Sequence, residues 1–367
     1  MQLHDHGVPR AQDFSDVTSL DPLGADDIMA ALPRMNREAN PVEIIQAIQS
    51  LRPVLLRAEH MTVPEMIGAL RDMGMLIASL RRLGFEPIEV VPEVEAPLLY
   101  MGSRTGMVPR DTVYHYSVWN PAKPRQRTFL GDRNEDALID ATRIGAVGVE
   151  KALEALVDIY ELPFDSPRFI EGCHTAAEEL MSMVDAIAHV RHTVSPEFFA
   201  RVLRPFYDEV ILGGKKYNGS SAAPLSIGVV DLLLWSSDVD DPEYRGFQDQ
   251  TMVYNMPRWK RLYRDLLGQP SMLTRLRTEM LRNPDDDSLR QACAALVAPM
   301  RVVLTFRGRH RLVAQSAYTE QLRLYPTGSA GYGIDTLEHV LKLSYEMSKI
   351  LRGTTTRAPQ QTEPRHA

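Results

Sequence analysis

Phe306-Arg307-Gly308-Arg309-His310-Arg311-Leu312-Val313-Ala314-Gln315-Ser316-Ala317 is the stretch on which the reading of this chain turns. Phe306 lies four residues before His310, and Val313, Ala314 and Ala317 lie three, four and seven after it, so all share one helical face. That spacing turns His310 inward beside small side chains, where a flat cofactor has room. Spacing alone leaves two readings open: a hydrogen-bonded core histidine, or a neutral imidazole that ligates haem iron. Arg307, Arg309 and Arg311 flank it, either as partners for propionates or as a solvated basic face.

Outward from this stretch, the apolar spacing is helical almost throughout, and the fold class expected is all-α. The decisive helix runs from about Ser288 to Glu320 with a bend at Pro299, and the last helix covers Asp335–Leu351. Residues 62–84 form another, capped by Thr62, with Met66, Leu70, Met73, Ile77 and Leu80 on its apolar face. Asp132 caps a helix to Tyr160, open to interruption at Gly145 and Gly148, with Glu135 placed for a capping box. Helices at Thr175–His192, from Ser195, at Leu225–Trp235, at 257–268 and at 271–280 follow. Val113–Trp119 reads as a strand or a helical turn, and Gly213 to Ser221 as a polar loop. The expected organisation is a flexible start over 1–20, a smaller helical region over 21–130, a large helical domain over 131–352 and a disordered tail over 353–367.

Composition narrows the function classes. The 44% apolar and 24% charged residues are ordinary for a globular protein, and a net charge of −7 argues against a nucleic-acid surface. Two cysteines, Cys173 and Cys293, exclude a disulfide scaffold, an all-cysteine metal site and the Cys-x-x-Cys-His attachment of a c-type haem. Neither a dinucleotide-binding fingerprint, a phosphate-binding loop, a His-Glu-x-x-His metal motif nor a Gly-x-Ser-x-Gly elbow occurs. The first six residues lack a secretory pattern, and no uninterrupted apolar run of membrane length is present, so the expectation is a cytoplasmic protein with no membrane partner.

Three further residues carry candidate chemistry. His115 sits in Tyr114-His115-Tyr116-Ser117-Val118-Trp119, an aromatic setting suited to a planar substrate, where it acts as acid or base or is simply structural. Arg204 follows Phe198, Phe199 and Leu203; it either holds a substrate carboxylate or pairs with Asp208. Ser329, between Gly328 and Gly331, is placed for an ammonium or a propionate, or for an ordinary turn.

These motifs carry a resemblance. Phe306-Arg307-Gly308-Arg309-His310 resembles the proximal-histidine segment of indoleamine 2,3-dioxygenase, and Val194 through Arg204 resembles the helix bearing its substrate-carboxylate arginine. Gly328-Ser329-Ala330-Gly331 falls where those enzymes have a Gly-Thr-Gly-Gly loop. Leu32-Pro33-Arg34-Met35-Asn36-Arg37, Ala69-Leu70-Arg71-Asp72-Met73-Gly74, Leu203-Arg204-Pro205-Phe206-Tyr207 and Leu233-Leu234-Trp235-Ser236-Ser237 resemble the monodechloroaminopyrrolnitrin synthase (PrnB-like) family more closely, as do His115 to Pro121 and Ala317-Tyr318. The likeness covers about residues 25–350 within the indoleamine/tryptophan 2,3-dioxygenase-like haem superfamily.

The resemblance implies a helical haem-binding fold with haem b on His310 and Arg307, Arg311, Ala314 and Ser329 around the cofactor. It implies Arg204, Phe199, Trp119, Tyr318 and Ser329 at the substrate, and His115, Arg204 and Ser329 in catalysis, with the 21–130 region supplying the distal side. The expected activity is oxygenation or rearrangement of L-tryptophan or a substituted tryptophan such as 7-chloro-tryptophan in secondary metabolism, with dioxygen or hydrogen peroxide and an electron donor as partners. A haem-dependent tyrosine hydroxylase and a non-catalytic haem protein are the alternatives, and a monomer or homodimer is expected. Ala314 stands where a related methyltyrosine hydroxylase has a haem-tethering cysteine, so no covalent attachment is expected, and Ala330 and Ser329 depart from the dioxygenase loop.

Overall fold

A computed structural model describes residues 16–220, 226–325 and 332–355. Helices α1 (Asp26–Arg37), α2 (Pro41–Leu55) and α3 (Val63–Arg82) open the fold. Thr62 caps α3 as expected: its hydroxyl accepts from the Glu65 N–H, and the Glu65 carboxylate accepts from the Thr62 N–H at 2.7 Å. Every residue from Met66 to Leu80 is buried, so α3 is a central helix. Arg71 and Asp72 stay buried within it because they pair with each other, while Arg127 reaches Asp72 from the side.

The one-turn α4 (Pro87–Val90) and α5 (Glu95–Thr105) follow, then α6 (Val113–Tyr116), which settles the Val113–Trp119 stretch as a helical turn. Asp132 caps α7 (Arg133–Ile159), but Glu135 closes no capping box. Its carboxylate turns back and accepts from the N–H groups of Phe129, Leu130 and Gly131 and from the Tyr116 hydroxyl. Gly145 and Gly148 do not interrupt α7. They let it approach α8 (Pro167–Thr193), where a Cβ on Gly148 would collide with Ser182 and stand 2.5 Å from the Glu179 carbonyl oxygen. Helix α8 starts at Pro167, ahead of the expected Thr175, because Phe169 and Cys173 already belong to the core.

Ser195 caps a π-helical turn at Phe198–Leu203, and a 3₁₀ turn at Arg204–Tyr207 continues it. The expected polar loop then forms a hairpin instead. Strands β1 (Val210–Leu212) and β2 (Lys215–Tyr217) pair antiparallel, and Gly213 and Gly214 take the positive φ values of 57° and 71° that a two-residue turn needs. Helix α9 (Ile227–Asp231) runs into a buried π-helical turn at Leu232–Ser236. Helix α10 (Pro242–Met252) was not anticipated; α11 (Pro257–Leu266) and α12 (Met272–Arg282) match expectation. Helix α13 (Asp287–Ala317) continues through Pro299, ends before Glu320, and packs between α8 and α14 (Ile334–Thr355). By length and apolar composition α13 would suffice to cross a membrane, but it packs here as the core helix of a bundle.

The fold is thus all-α, with one hairpin among the described residues. Buried apolar residues form two clusters, one around α1–α3 with Leu203–Leu212 and a larger one around α7–α9 and α11–α13. Residues 16–20, expected to be flexible, are docked instead: Val17 is fully buried, and Arg71 donates to the Val17 and Leu20 carbonyls. At the other end, α14 carries the helix to Thr355, past the expected start of the tail at residue 353, and residues 356–367 lie outside the described residues.

Candidate functional site

His115 is the third residue of α6 and completely buried. The backbone N–H of Thr112, which can only donate, points at its Nδ1 at 3.1 Å, and the Thr112 hydroxyl lies 2.9 Å from the same atom. Nδ1 is therefore the acceptor nitrogen and the ring proton resides on Nε2. Nε2 is buried and has no hydrogen-bond partner among the described residues. Burial, and then the Arg71 charge, lower the His115 pKa to about 3, which keeps the ring neutral.

The Trp119 ring meets His115 edge-on at 5.0 Å, and Arg71 holds the Trp119 carbonyl at 3.1 Å. Behind them lies a buried polar group that the sequence did not disclose. The Tyr114 hydroxyl meets Ser226 at 2.6 Å and Asn255 at 3.0 Å, while Glu150 accepts from the Trp259 indole N–H and from Ser226. The helical spacing of Glu150 gave no signal, because its partners are Ser226, just before α9, and Trp259 on α11.

Arg204 is buried, and its Nη1 donates to Asp208 Oδ1 at 2.8 Å, the ion pair weighed from the i,i+4 spacing. The Tyr325 ring covers the guanidinium at 4.2 Å, and its hydroxyl donates to Asp208 at 2.8 Å. Phe199 is partly buried against the first core cluster beside this group.

His310 lies on α13 with its ring parallel to that of Phe306 at 5.6 Å. It is half-buried, as are Phe306, Val313 and Ala314, so the expected face is formed but not closed by protein. Burial and the Arg307 charge push the His310 pKa down to about 4, and neither ring nitrogen makes a hydrogen bond among the described residues. A neutral imidazole with a ring nitrogen not engaged by protein, on a face that Ala314 keeps shallow, fits a haem ligand. No cluster of three or more metal-ligating side chains occurs among the described residues.

The arginines divide. Arg307 is engaged within the protein: Nη1 and Nη2 both go to the buried carboxylate of Asp231, which also accepts from Trp235 and Tyr244, and Nη1 also reaches Ser344. Burying Asp231 without that guanidinium would leave an unpaired charge in the core, so the internal ion pair takes precedence. Arg311 pairs with Glu338 of α14 at 3.1 Å in a half-exposed position. Tyr318 follows the last turn of α13, where its N–H bonds the Ala314 carbonyl. Ser329 lies outside the described residues. A groove of about 620 Å³ between Glu161–Asp165 and α12 contains none of these side chains. Compared with known families, the chain matches the model described as monodechloroaminopyrrolnitrin synthase PrnB over residues 27–361.

Proposed function

The chain belongs to the monodechloroaminopyrrolnitrin synthase PrnB family, and on that premise we propose that His310 would hold a haem b through its imidazole, beside a tryptophan pocket. Membership makes it an oxidoreductase with haem-dependent oxidative chemistry on a tryptophan-derived substrate in secondary metabolism. The observation that carries the finer reading is His310 itself, neutral, without a protein hydrogen bond among the described residues, and flanked by Ala314. Arg311 remains a propionate partner in this reading, at the expense of its exposed pair with Glu338, whereas Arg307 is left to Asp231.

Haem bound at His310 supplies activation of dioxygen or hydrogen peroxide. The chain's own residues do the rest. Arg204 receives the substrate carboxylate, which competes with Asp208 for the guanidinium and releases Tyr325. Phe199, Trp119 and Tyr318 border the aromatic ring, Ser329 meets the amine or a propionate, and His115 is the distal polar group. Water exclusion by Trp119 and Phe199 strengthens each of these polar contacts. The substrate proposed is tryptophan or 7-chloro-tryptophan, acted on by a cytoplasmic monomer or homodimer.

Purified protein should show a haem Soret band that His310→Ala abolishes or shifts, and tryptophan or 7-chloro-tryptophan should perturb it. A spectrum and haem content unchanged in His310→Ala would remove His310 as the residue that holds the haem. Hydroxylated tyrosine as the sole product, in mass analysis with reductant and dioxygen or peroxide, would replace the substrate assignment.

A further inference from the structure

His115 presents a question that its place in the pocket does not answer: whether it takes protons from the ligand or gives a hydrogen bond to it. Three facts bear on it. The Thr112 N–H occupies Nδ1, and a backbone amide has no lone pair with which to accept a proton from the ring. The Thr112 hydroxyl approaches the same nitrogen at 2.9 Å, so Nδ1 has no vacancy. Nε2 must then carry the hydrogen, and it is a fully buried polar atom without a partner among the described residues. Folded proteins rarely leave such a group unmatched unless something else binds there.

We infer that Thr112 locks His115 as a hydrogen-bond donor, with Nε2–H aimed at the bound ligand, and that His115 never serves as its base. To accept a proton at Nε2, the ring would have to become an imidazolium or move its proton to Nδ1. The first places a second positive charge in the core near Arg71, whose carboxylate partner Asp72 is already shared with the second cation Arg127. The second turns two N–H groups against each other at 3.1 Å. The acceptor is a lone pair on the substrate or on oxygen held near it. Any proton leaving the substrate goes to another group. Thr112 is a positioning residue, since it touches the ring and not the ligand. The inference rests on the reading that His115 borders the substrate pocket.

Long-range ¹⁵N–¹H spectra of haem-loaded, ¹⁵N-histidine-labelled protein test the lock directly, with His115 assigned by its absence in His115→Gln. A single proton on Nε2 from pH 6 to 9 is expected. A proton on Nδ1, or a second proton gained in that range, would overturn the inference. Turnover tests its use. Glutamine places an amide N–H where Nε2–H stood but cannot act as a base, so His115→Gln should stay within about tenfold of the parent and His115→Leu should fall by about 10²–10³. Equal losses in both, or loss in His115→Gln of an acidic limb present in the parent pH–rate profile, would identify a base. Thr112→Val should lower turnover several-fold with substrate affinity unchanged, and Thr112→Ser should restore it; indistinguishable Val and Ser variants would sink the positioning role. If tryptophan fails to bind the haem-loaded protein, the pocket reading falls while the nuclear magnetic resonance result stands by itself.

Discussion

Glu150 receives the Trp259 indole N–H at 2.8 Å on each oxygen and a longer bond from Ser226, yet burial still raises its pKa to about 7. In the unfolded chain the group titrates near 4.5. The folded protein therefore binds the extra proton between these values, and its contribution to stability is complete below about 4.5 and lost as pH rises through about 7. Glu150→Gln, which keeps an acceptor for Trp259 and cannot ionise, should raise the thermal midpoint over the parent more at pH 8 than at pH 5. An equal offset at both would assign the pH dependence to another group. At this scale the sequence was readable where partners are close along the chain. Arg204 and Asp208 are four residues apart, and their pairing was one of two open readings. Arg307 and Asp231 are 76 residues apart, and no local pattern links them, so neither open reading of Arg307, propionate partner or solvated basic face, includes this pair.

Helices α7 and α8 meet through glycines of unequal importance. A methyl group at Gly148 runs into Ser182 and the Glu179 backbone, whereas at Gly145 the nearest atom is the Ala186 Cβ at 3.7 Å, an ordinary contact. Gly148→Ala should destabilise by about 1–3 kcal/mol through overpacking, and Gly145→Ala should be neutral or stabilise by up to about 1 kcal/mol through helix propensity. Denaturant titration of the two variants measures the contrast; similar midpoints would refute the close approach. Elements with caps or sustained periodicity, such as α3 behind Thr62 and α13 from about Ser288, were legible. The hairpin was missed although Gly213-Gly214 between Val210–Leu212 and Lys215–Tyr217 is a turn signal, because strands of three residues show too little alternation. The π-helical turns at Phe198–Leu203 and Leu232–Ser236 reflect tertiary packing, which helical spacing cannot register.

At the scale of the whole molecule, Arg71 ties distant pieces together. Its guanidinium reaches the carbonyls of Val17, Leu20 and Trp119 as well as Asp72, while Asp26 pairs with Arg125 and Arg127. The polar composition around residue 17 hid this, since backbone carbonyls do the binding and any sequence supplies them. A chain beginning at Asp21 loses the buried Val17 side chain and two Arg71 acceptors, a deficit of about 3 kcal/mol or more. Its melting temperature by circular dichroism should drop accordingly, and an unchanged midpoint would show that residues 16–20 contribute nothing to stability.

The carboxylate of Glu135, folded back on Phe129, Leu130 and Gly131, gives three loop amides the bonding that helical amides have. Deuterium should therefore enter that loop as slowly as it enters the first turns of α7, and an exchange map would draw the helix as beginning several residues before Arg133. Replacing Glu135 with alanine would free those amides together, so that the loop and the helix separate on the exchange timescale.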